Sequence, residues 1–374
     1  MRRRRATDES AAAETIFYEA GQWRLTWWRF KRHRVAVIAL AGLILAYLGA
    51  LFANFFAPYG SAQRFDGQED APPTRIHLVH EGQLRFPFVY ERDRQYDSRA
   101  FERSYVEDES EPYPIRLLGR GEPYRLFGLI ETDRHLFTTG EDAPPVMVFG
   151  ADRLGRDIFS RVVYGAQVSL SIGLAGVVSG FVLGVVIGAI SGYFGGLVDT
   201  VIQRIIEFIL SLPTIPLWMA LSAALPRDWS VVRTYFFISL ILALVSWCTL
   251  AREVRGKLLA MRDEDFVVAA RLAGASRTRI MGVHLVPSFA SHLIVTVTLA
   301  IPAMILGETA LSFLGIGMQA PAVSWGVLLQ DAQHVVAIAQ YPWQMIPALF
   351  VIGTVLMFNF AGDGLRDAAD PYTT

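Results

Sequence analysis

The residues of this chain that could perform chemistry form no recognised nucleotide-binding or catalytic motif. The phosphate loop G-x-x-x-x-G-K-[ST] is absent, because the one Gly-Lys pair, Gly256–Lys257, is followed by Leu and lacks the upstream Gly. H-E-x-x-H and G-x-S-x-G are also absent, so the sequence does not indicate zinc peptidase or serine hydrolase chemistry. We therefore expect that the chain is not an enzyme.

Metal and thiol chemistry has little support in the sequence. The single cysteine, Cys248, lies inside an apolar run, so the chain can form neither an intrachain disulfide nor a thiol-rich metal site. His77 and His80, in HLVH, have a spacing that suits two ligands, but two lone histidines are more often solvated or bonded locally. We expect no metal site.

Ionisable residues and prolines within apolar runs are the candidates for a solute path. Acids inside a membrane usually face protein or water and are often functional, so Glu308 either serves the path or its gate, or makes a structural hydrogen bond beneath the loop 311–326. Pro213 and Pro216, in SLPTIP, predict a helix kink that either lines the path or serves only packing. Glu207 suits the inner interface of the same run.

A short basic segment, DFVVAARLAGASRTRIMGVHLVP (265–287), lies between two apolar runs and predicts a pair of helices. Asp265 can cap a first helix over 266–272, and Gly274 suits a left-handed position at its end. Ser276 can cap a second helix that ends before Pro287, and this proline then opens the next apolar run.

The first of these helices carries a small apolar knob formed by Phe266, Ala269 and Ala270, at positions three and four apart. The knob is flanked by charges: Asp263, Glu264, Asp265 and Arg271. Alanines at such a site let another protein's groove approach closely, which favours a docking role. A helix pair lying on the membrane surface and held there by Arg277 and Arg279 is an equally good interpretation of the residues.

The elements that must position these residues are membrane helices. The chain has 374 residues, 53% of them apolar and 18% charged, with a mean hydropathy of +0.35. Its apolar residues come in runs of about 20, the length that crosses a bilayer core. We expect six spans, at 35–57, 167–191, 201–225, 234–251, 289–313 and 343–361.

Basic residues near the ends of the spans predict their orientation. Residues 1–34 carry nine Arg and Lys against four acids, and the loop 252–288 carries seven Arg and Lys, so both are expected in the cytoplasm. The first span is expected to remain as an anchor, since it lacks a clear cleavage site. Five parts follow: a cytoplasmic segment 1–34, helix 35–57, an outer segment 58–165, a core of five helices 166–361 with its loop 252–288, and a cytoplasmic tail 362–374.

The outer segment is acidic and is the largest part outside the membrane. Residues 58–157 carry 19 acids against 13 bases, and none of the bases is Lys. Its apolar stretches are short, which fits a small β-rich lobe or an ordered loop, while disorder over 91–113 is a third alternative. The net charge of the whole chain, −1, gives no indication of a nucleic-acid partner.

The segment 265–287 resembles the cytoplasmic loop of permease subunits of ATP-binding-cassette importers. The family pattern is E-A-A, three residues, a Gly, about nine residues, and a hydrophobic residue two before Pro. Here it reads Val268-Ala269-Ala270, Gly274 and Leu285-Val286-Pro287, with Val268 in place of Glu. Three further stretches, 149–173, 307–326 and 362–371, are similar to the second, C-type permease of the dipeptide, oligopeptide and nickel branch. The segment 61–145 departs from that branch, since many members have a much shorter connection.

This resemblance implies an all-α membrane protein with six transmembrane helices in the type I ABC importer fold, and an extended periplasmic segment after the first. It implies a place in the bacterial inner membrane with both termini cytoplasmic, beside a second, homologous permease. Two ATP-binding-cassette ATPase subunits would each take one coupling helix, and a periplasmic solute-binding protein would dock outside. ATP and Mg²⁺ would be bound on the ATPase subunits, with no cofactor on this chain. The implied coupling residues are Asp265, Phe266, Ala269, Ala270, Arg271, Gly274, Ala275, Arg277 and Pro287; Pro213, Pro216 and Glu308 stay candidates for the path or gate.

The function expected from the resemblance is therefore the translocation pathway of a binding-protein-dependent importer, with di- or oligopeptides as the first choice of solute. Nickel complexes, or sugars and glycosides, are alternatives on the same machinery. An ion-coupled transporter or channel is less favoured, because neither inverted repeats nor ionisable groups at mid-membrane are clear. A scaffold whose outer segment is the active part leaves 265–287 without a role.

Overall fold

A computed structural model describes residues 22–97, 102–126, 128–140, 143–226 and 228–369. The first 21 residues of the expected cytoplasmic segment and the last five of the expected tail lie outside this range, as do residues 98–101 of the outer segment.

Helices dominate both sides of a β-rich insertion. The chain begins with α1 (Gln22–Arg32), α2 (Arg34–Leu51) and α3 (Ala53–Phe56). The insertion contains β1 (His77–His80), β2 (Gln83–Asp97), β3 (Glu102–Pro114), β4 (Arg116–Leu117), β5 (Arg120–Leu126), β6 (Ile130–Arg134) and β7 (Phe137–Thr138). After it come α4 (Ile158–Phe194), α5 (Gly196–Ser211), α6 (Thr214–Ala223), α7 (Val231–Met261), α8 (Asp265–Leu272) and α9 (Arg277–Arg279). A π-helical turn (Ile280–Leu285) leads to α10 (Val286–Ser288), α11 (Ala290–Phe313), α12 (Trp325–Ala332), α13 (Val335–Gln340), a 3₁₀ turn (Pro342–Met345) and α14 (Ile346–Ala369).

The prediction of a helical membrane domain is confirmed. Within the described residues, five helices are long and apolar enough to cross a bilayer, and a sixth span results if α5 and α6 are counted together. These two helices meet at an angle of 85° around Leu212 and Pro213, so the expected kink is a complete break of the helix. Two helices are longer than expected: α4 begins at Ile158, and α7 extends ten residues beyond the predicted end of the fourth span.

Close approach of α4 and α7 organises the core of the membrane domain. Glycines occur at every fourth position of α4, from Gly176 to Gly192, and backbone or side-chain atoms of α7 or α11 occupy the space that a Cβ would take. At Gly188 a Cβ would lie 2.5 Å from the carbonyl oxygen of Ala251. Small residues at this spacing let two helix backbones pack directly against each other. The largest apolar cluster continues from this interface into α2, α11, α12 and α14.

The outer segment folds as a β-rich lobe, which was one of the three alternatives. Strands β1, β2 and β3 form an antiparallel sheet, while β4 pairs with β7 and β5 pairs with β6. The long hairpin of β2 and β3 runs through most of 91–113, for which disorder had been considered. The expected all-α class therefore holds for the membrane domain, and the lobe is an antiparallel β insertion.

Hydrogen bonds hold this lobe against three helical elements. The backbone N–H of Tyr59 donates to Ser160 Oγ at 3.3 Å, at the start of α4. Gln344 in the 3₁₀ turn donates to Asp70 Oδ1 at 2.8 Å. Arg161 of α4 donates to Asp152 at 2.5 Å and to Asp331 of α12 at 3.3 Å. Arg161 is 2% exposed, so its charge is buried. The two carboxylates compensate this charge, a compensation that an unpaired buried charge would lack.

Candidate functional site

Helix α8, at the centre of the segment 265–287, ends in a well-formed cap. The N–H of Ala275 donates to the carbonyl of Ala270 at 3.0 Å, and the N–H of Gly274 donates to that of Arg271 at 3.1 Å. Gly274 has φ +80°, the left-handed angle that this capping motif requires at its position. The expected glycine cap is thus present, and it fixes the direction in which the chain leaves α8.

The two faces of α8 have different surroundings. Val267 is fully buried and packs with Leu258 of α7 and with Ile280 and Leu285 of the following turn. Ala270 and Ala275 are half-buried against the same cluster. The opposite face exposes Phe266, Ala269, Leu272 and Ala273. We call these four residues the apolar stripe; they lie at i, i+3, i+6 and i+7, so they form one continuous strip of helix surface.

The stripe differs from the predicted knob at three positions, since it lacks Ala270 and adds Leu272 and Ala273. Ala270 is half-buried beside Val267, and its assignment to the docking surface stays a prediction. Leu272, which is 85% exposed, belongs to the outer surface and was missed. Its position three residues after Ala269 is the signal that could have identified it.

The remaining predicted coupling residues surround the stripe. Asp265 is the first helical residue and Glu264 occupies the cap position without a side-chain hydrogen bond, so the expected Asp265 cap is wrong by one residue. Three consecutive acids, 263–265, are exposed at this end. Their negative charges interact favourably with the positive end of the helix dipole. Arg271 is exposed at the other end, and the Arg277 guanidinium lies 5.6 Å from the ring centre of Phe194.

The second half of the segment is capped as expected but ends differently. The N–H of Arg279 donates to Ser276 Oγ at 3.3 Å, which makes Ser276 the cap of α9. The helical path continues through a π-helical turn into α10, so it includes Pro287 instead of ending before it. It breaks at Phe289, and α11 starts at Ala290.

Polar and charged side chains join the C-terminal ends of α4 and α7 to the start of α5, close to this segment. Arg255 donates from Nε to Asp199 Oδ1 at 2.5 Å and from Nη2 to Oδ2 at 2.6 Å. Ser191 Oγ of α4 donates to the same carboxylate at 2.5 Å. A bidentate Arg–carboxylate pair of this kind fixes both position and orientation.

Glu308, a candidate for the path or gate, is fully buried between helices. Ser169 Oγ of α4 donates to its Oε2 at 3.2 Å, and Ser312 Oγ donates to its Oε1 at 2.8 Å. These two hydroxyls also accept hydrogen bonds from the backbone N–H groups of Trp325 and Met318, at 3.1 and 2.9 Å. In this conformation the carboxyl therefore joins α4 and α11 to the loop 311–326. Its assignment to the path or gate stays a prediction.

Pro213 and Pro216 lie at the break between α5 and α6, and both are exposed on this chain. Trp218, two residues further on, lies against Gly307 of α11, where a Cβ would be 3.0 Å from its ring. The residues after the helix break therefore contact α11 next to Glu308, although the Glu308 carboxyl is bonded on its other side by Ser169. A role of the two prolines in the path stays a prediction.

Known proteins match this chain on both sides of the lobe. The family described as "Binding-protein-dependent transport system inner membrane component" matches residues 184–374, and "N-terminal TM domain of oligopeptide transport permease C" matches residues 21–73.

Relatives from two bacteria carry a peptide-transport name. The "Oligopeptide transport system permease protein OppC" of Salmonella typhimurium is 39% identical over 246 residues, which are 66% of this chain and 79% of that protein. The protein of the same name in Bacillus subtilis is 38% identical over 224 residues, or 60% and 71% of the two chains. A chain of an inward-facing MetNI methionine ABC transporter structure aligns at a TM-score of 0.43 with 18% identity, covering 56% of this chain and 97% of that one.

Proposed function

This chain belongs to the family of binding-protein-dependent transport system inner membrane components, and from this premise we propose that it is one permease subunit of an ATP-binding-cassette importer of peptides. It would lie in the bacterial inner membrane with both termini in the cytoplasm, in the type I importer arrangement. The names of its relatives support peptides as the solute. Nickel complexes and sugars remain alternatives for the same machinery.

The observation that carries the proposal is the apolar stripe on α8. Large apolar side chains that a folded protein leaves exposed mark surfaces for a partner. Phe266 and Leu272 are 43% and 85% exposed on the short helix α8, which follows the long helix α7. The preceding acids, 263–265, support a protein groove over an anionic lipid surface, because that surface would repel them. We propose that α8 is the coupling helix and that an ATPase subunit covers the stripe.

The partners follow from this assignment. Two ATPase subunits would bind ATP and Mg²⁺, one on this chain and one on a second, homologous permease, and a periplasmic solute-binding protein would deliver the solute. Movement of α8 with its ATPase would be transmitted to α7 through Val267 and Leu258, which pack in one cluster. The pathway would then alternate between inward- and outward-facing states by rigid movement of helices.

The interface is tested by replacing one exposed leucine. A tagged chain carrying Leu272→Asp, expressed with its ATPase and permease partners, should recover at least about tenfold less ATPase than wild type, as expected for a charge placed in the core of an interface. Leu84→Asp is the matched control, since Leu84 is 86% exposed on the lobe. Full ATPase recovery and normal solute uptake by the Leu272→Asp complex would contradict the docking role.

The solute is tested separately. The cognate solute-binding protein should purify with a bound di- or oligopeptide, identified by mass spectrometry. A bound nickel complex or glycoside would replace the peptide assignment and leave the docking assignment intact.

A further inference from the structure

The hairpin of β5 and β6 has an apolar tip, and we propose that this tip inserts into the outer leaflet of the bilayer beside the first span. The tip includes Gly128, Leu129 and Ile130, and of these Leu129 is 86% exposed and Ile130 is 61% exposed. Hairpin turns commonly carry Gly, Asn, Asp or Ser, which adopt left-handed angles or bond their own backbone. Gly128, with φ +71°, follows this rule, whereas its neighbour Leu129 is a large exposed apolar residue. A turn whose side chains are apolar is therefore suited to a non-aqueous surface.

The base of this hairpin is attached to the membrane end of the lobe. The N–H of Leu136 donates to the carbonyl of Phe55 at 2.8 Å, and Phe55 lies only four residues beyond α2. The ring of His135 bonds the carbonyls of Ala57 and Glu122, at 2.7 and 3.0 Å. These bonds join the last residues after the first span to β5 itself, so the hairpin starts at the level where that span leaves the membrane.

Exposed leucines continue from this base. Leu117 and Leu118 are 77% and 55% exposed, and the N–H of Leu118 donates to the carbonyl of Leu136 at 2.9 Å. Leu118 also has φ +53°, a conformation that a bulky residue rarely adopts and that Gly or Asn would adopt at lower cost. A leucine kept exposed at such a position indicates that its side chain contacts something apolar.

The length of the hairpin places its tip away from the helices of this chain. Leu126 lies six residue steps beyond Arg120, which at about 3.3 Å per step carries the tip about 20 Å from the base. The lipid-facing surface of the first span is continuous with that base, and exposed side chains along it include Leu48 and Leu51. The bilayer is therefore the apolar surface that this chain itself provides next to the hairpin.

The charges behind the tip fit the headgroup region. Arg125 donates from Nε and Nη2 to Glu131 Oε1, at 2.9 and 2.6 Å, so the charges nearest the tip neutralise each other. Arg116 is exposed next to Leu117, and within the described ranges it has no ion-pair partner. Arginine side chains can reach phosphate groups while their stems lie along apolar surface.

A fluorescence measurement tests the insertion in the full-length chain, assembled with its partner subunits in lipid nanodiscs. Cys248 is buried and is replaced by Ala, and an environment-sensitive fluorophore is attached at Leu129→Cys or, as the aqueous reference, at Glu109→Cys. Nitroxide-labelled phospholipid should quench the Leu129 label at least about twofold more than the reference label, and aqueous iodide should quench it correspondingly less.

Two results would overturn the proposal. Equal iodide quenching at both labels would mean that the tip lies in water. Protection of the Leu129 label without quenching by nitroxide lipid, or protection that appears only after the solute-binding protein is added, would assign the tip to a protein interface. The measurement does not depend on which solute is transported, so it can fail while the proposed function holds.

Discussion

Arg255 and Asp199 are joined through both oxygens of the carboxylate, at 2.5 and 2.6 Å, although they belong to different helices and lie 56 residues apart. Asp199 also accepts from Ser191, so three helices meet at one carboxylate. Arg255 lies on the last turns of α7, shortly before the segment that carries α8, and Asp199 lies in the first turn of α5. The position of α8 therefore depends on this junction as well as on its own packing.

Replacing Asp199 with Asn should loosen that junction. The pair is partly exposed, with side-chain exposures of 31% for Arg255 and 15% for Asp199, so we expect a loss of only about 1 kcal/mol of unfolding free energy. Thermal unfolding in detergent measures it. The double exchange Asp199→Arg with Arg255→Asp should recover part of the loss, whereas additive losses in the exchange would argue against a direct interaction.

A methyl group at Gly188 should separate α4 from α7. The added Cβ would lie 2.5 Å from the carbonyl oxygen of Ala251 and 2.9 Å from its Cα, and a backbone cannot yield as a side chain does. Gly256→Ala is the matched control, since a Cβ there meets nothing within 4 Å and Ala favours the helix by about 1 kcal/mol. Gly188→Ala should lower the unfolding temperature and Gly256→Ala should not; equal effects would contradict the close contact.

Substitutions on the buried face of α8 should change stability, whereas substitutions on its exposed face should change docking. Val267→Ala removes a fully buried side chain and should cost about 2 kcal/mol of unfolding free energy. Leu272→Ala removes an exposed one and should leave the isolated permease unchanged while weakening ATPase binding. Thermal unfolding and ATPase co-purification are the two measurements, and a large loss of stability in Leu272→Ala would mean that this leucine packs within the chain.

Glu308 can be tested with variants that keep or remove its hydrogen bonds. Glu308→Gln can still accept from Ser169 or Ser312, so a structural role predicts near-normal stability and uptake. Glu308→Ala leaves both hydroxyls without that acceptor and should cost about 2 kcal/mol or more. A stable Glu308→Gln permease with lost uptake would instead assign the ionised carboxyl to the path or gate.

Asp157, the cap of α4, should make stability depend on pH. Burial raises the pKa of its carboxyl to about 6, with a smaller contribution from the charge of Asp152, while hydrogen bonds from Ser160 oppose the shift. Because the folded pKa lies above the unfolded value near 4, protonation stabilises the fold below about pH 4, and this contribution is lost as the pH rises through 6.

The measurement is the difference between wild type and Asp157→Asn across that range. Asn can still accept from the N–H of Ser160, so the cap is preserved. Relative to the variant, wild type should lose up to about 2 kcal/mol between pH 4 and 7.5. Parallel pH profiles would mean that the carboxyl is hydrated or paired in solution.

Local patterns in the sequence predicted local structure well. The apolar runs indicated the spans because a helix that crosses lipid must bond its own backbone. Gly274 and Ser276 were identified as caps because each satisfies backbone groups within a few residues. The partial burial of Ala270 was not predicted, because the direction of a helix face depends on where Leu258 and Ile280 lie, which spacing within α8 does not specify.

Contacts distant in the sequence could not be predicted in the same way. Arg161 meets Asp331 across 170 residues, and no periodicity relates the two. The sequence alone leaves the lobe between β structure, an ordered loop and disorder, because it is charged, contains prolines and has only short apolar stretches. Their pairing depends on the docking of residues such as Asp70 against Gln344, which belongs to another part of the chain.

The hydrogen bond from the N–H of Tyr59 to Ser160 Oγ spans 101 positions of sequence and only 3.3 Å of space. The polypeptide therefore leaves the membrane domain and returns to it at one point, so the intervening stretch imposes no separation on the two spans it connects. Its length is free to change during evolution without moving either helix. In this respect the lobe is an interchangeable appendage, and a short linker joining these two positions would be geometrically sufficient to close the chain.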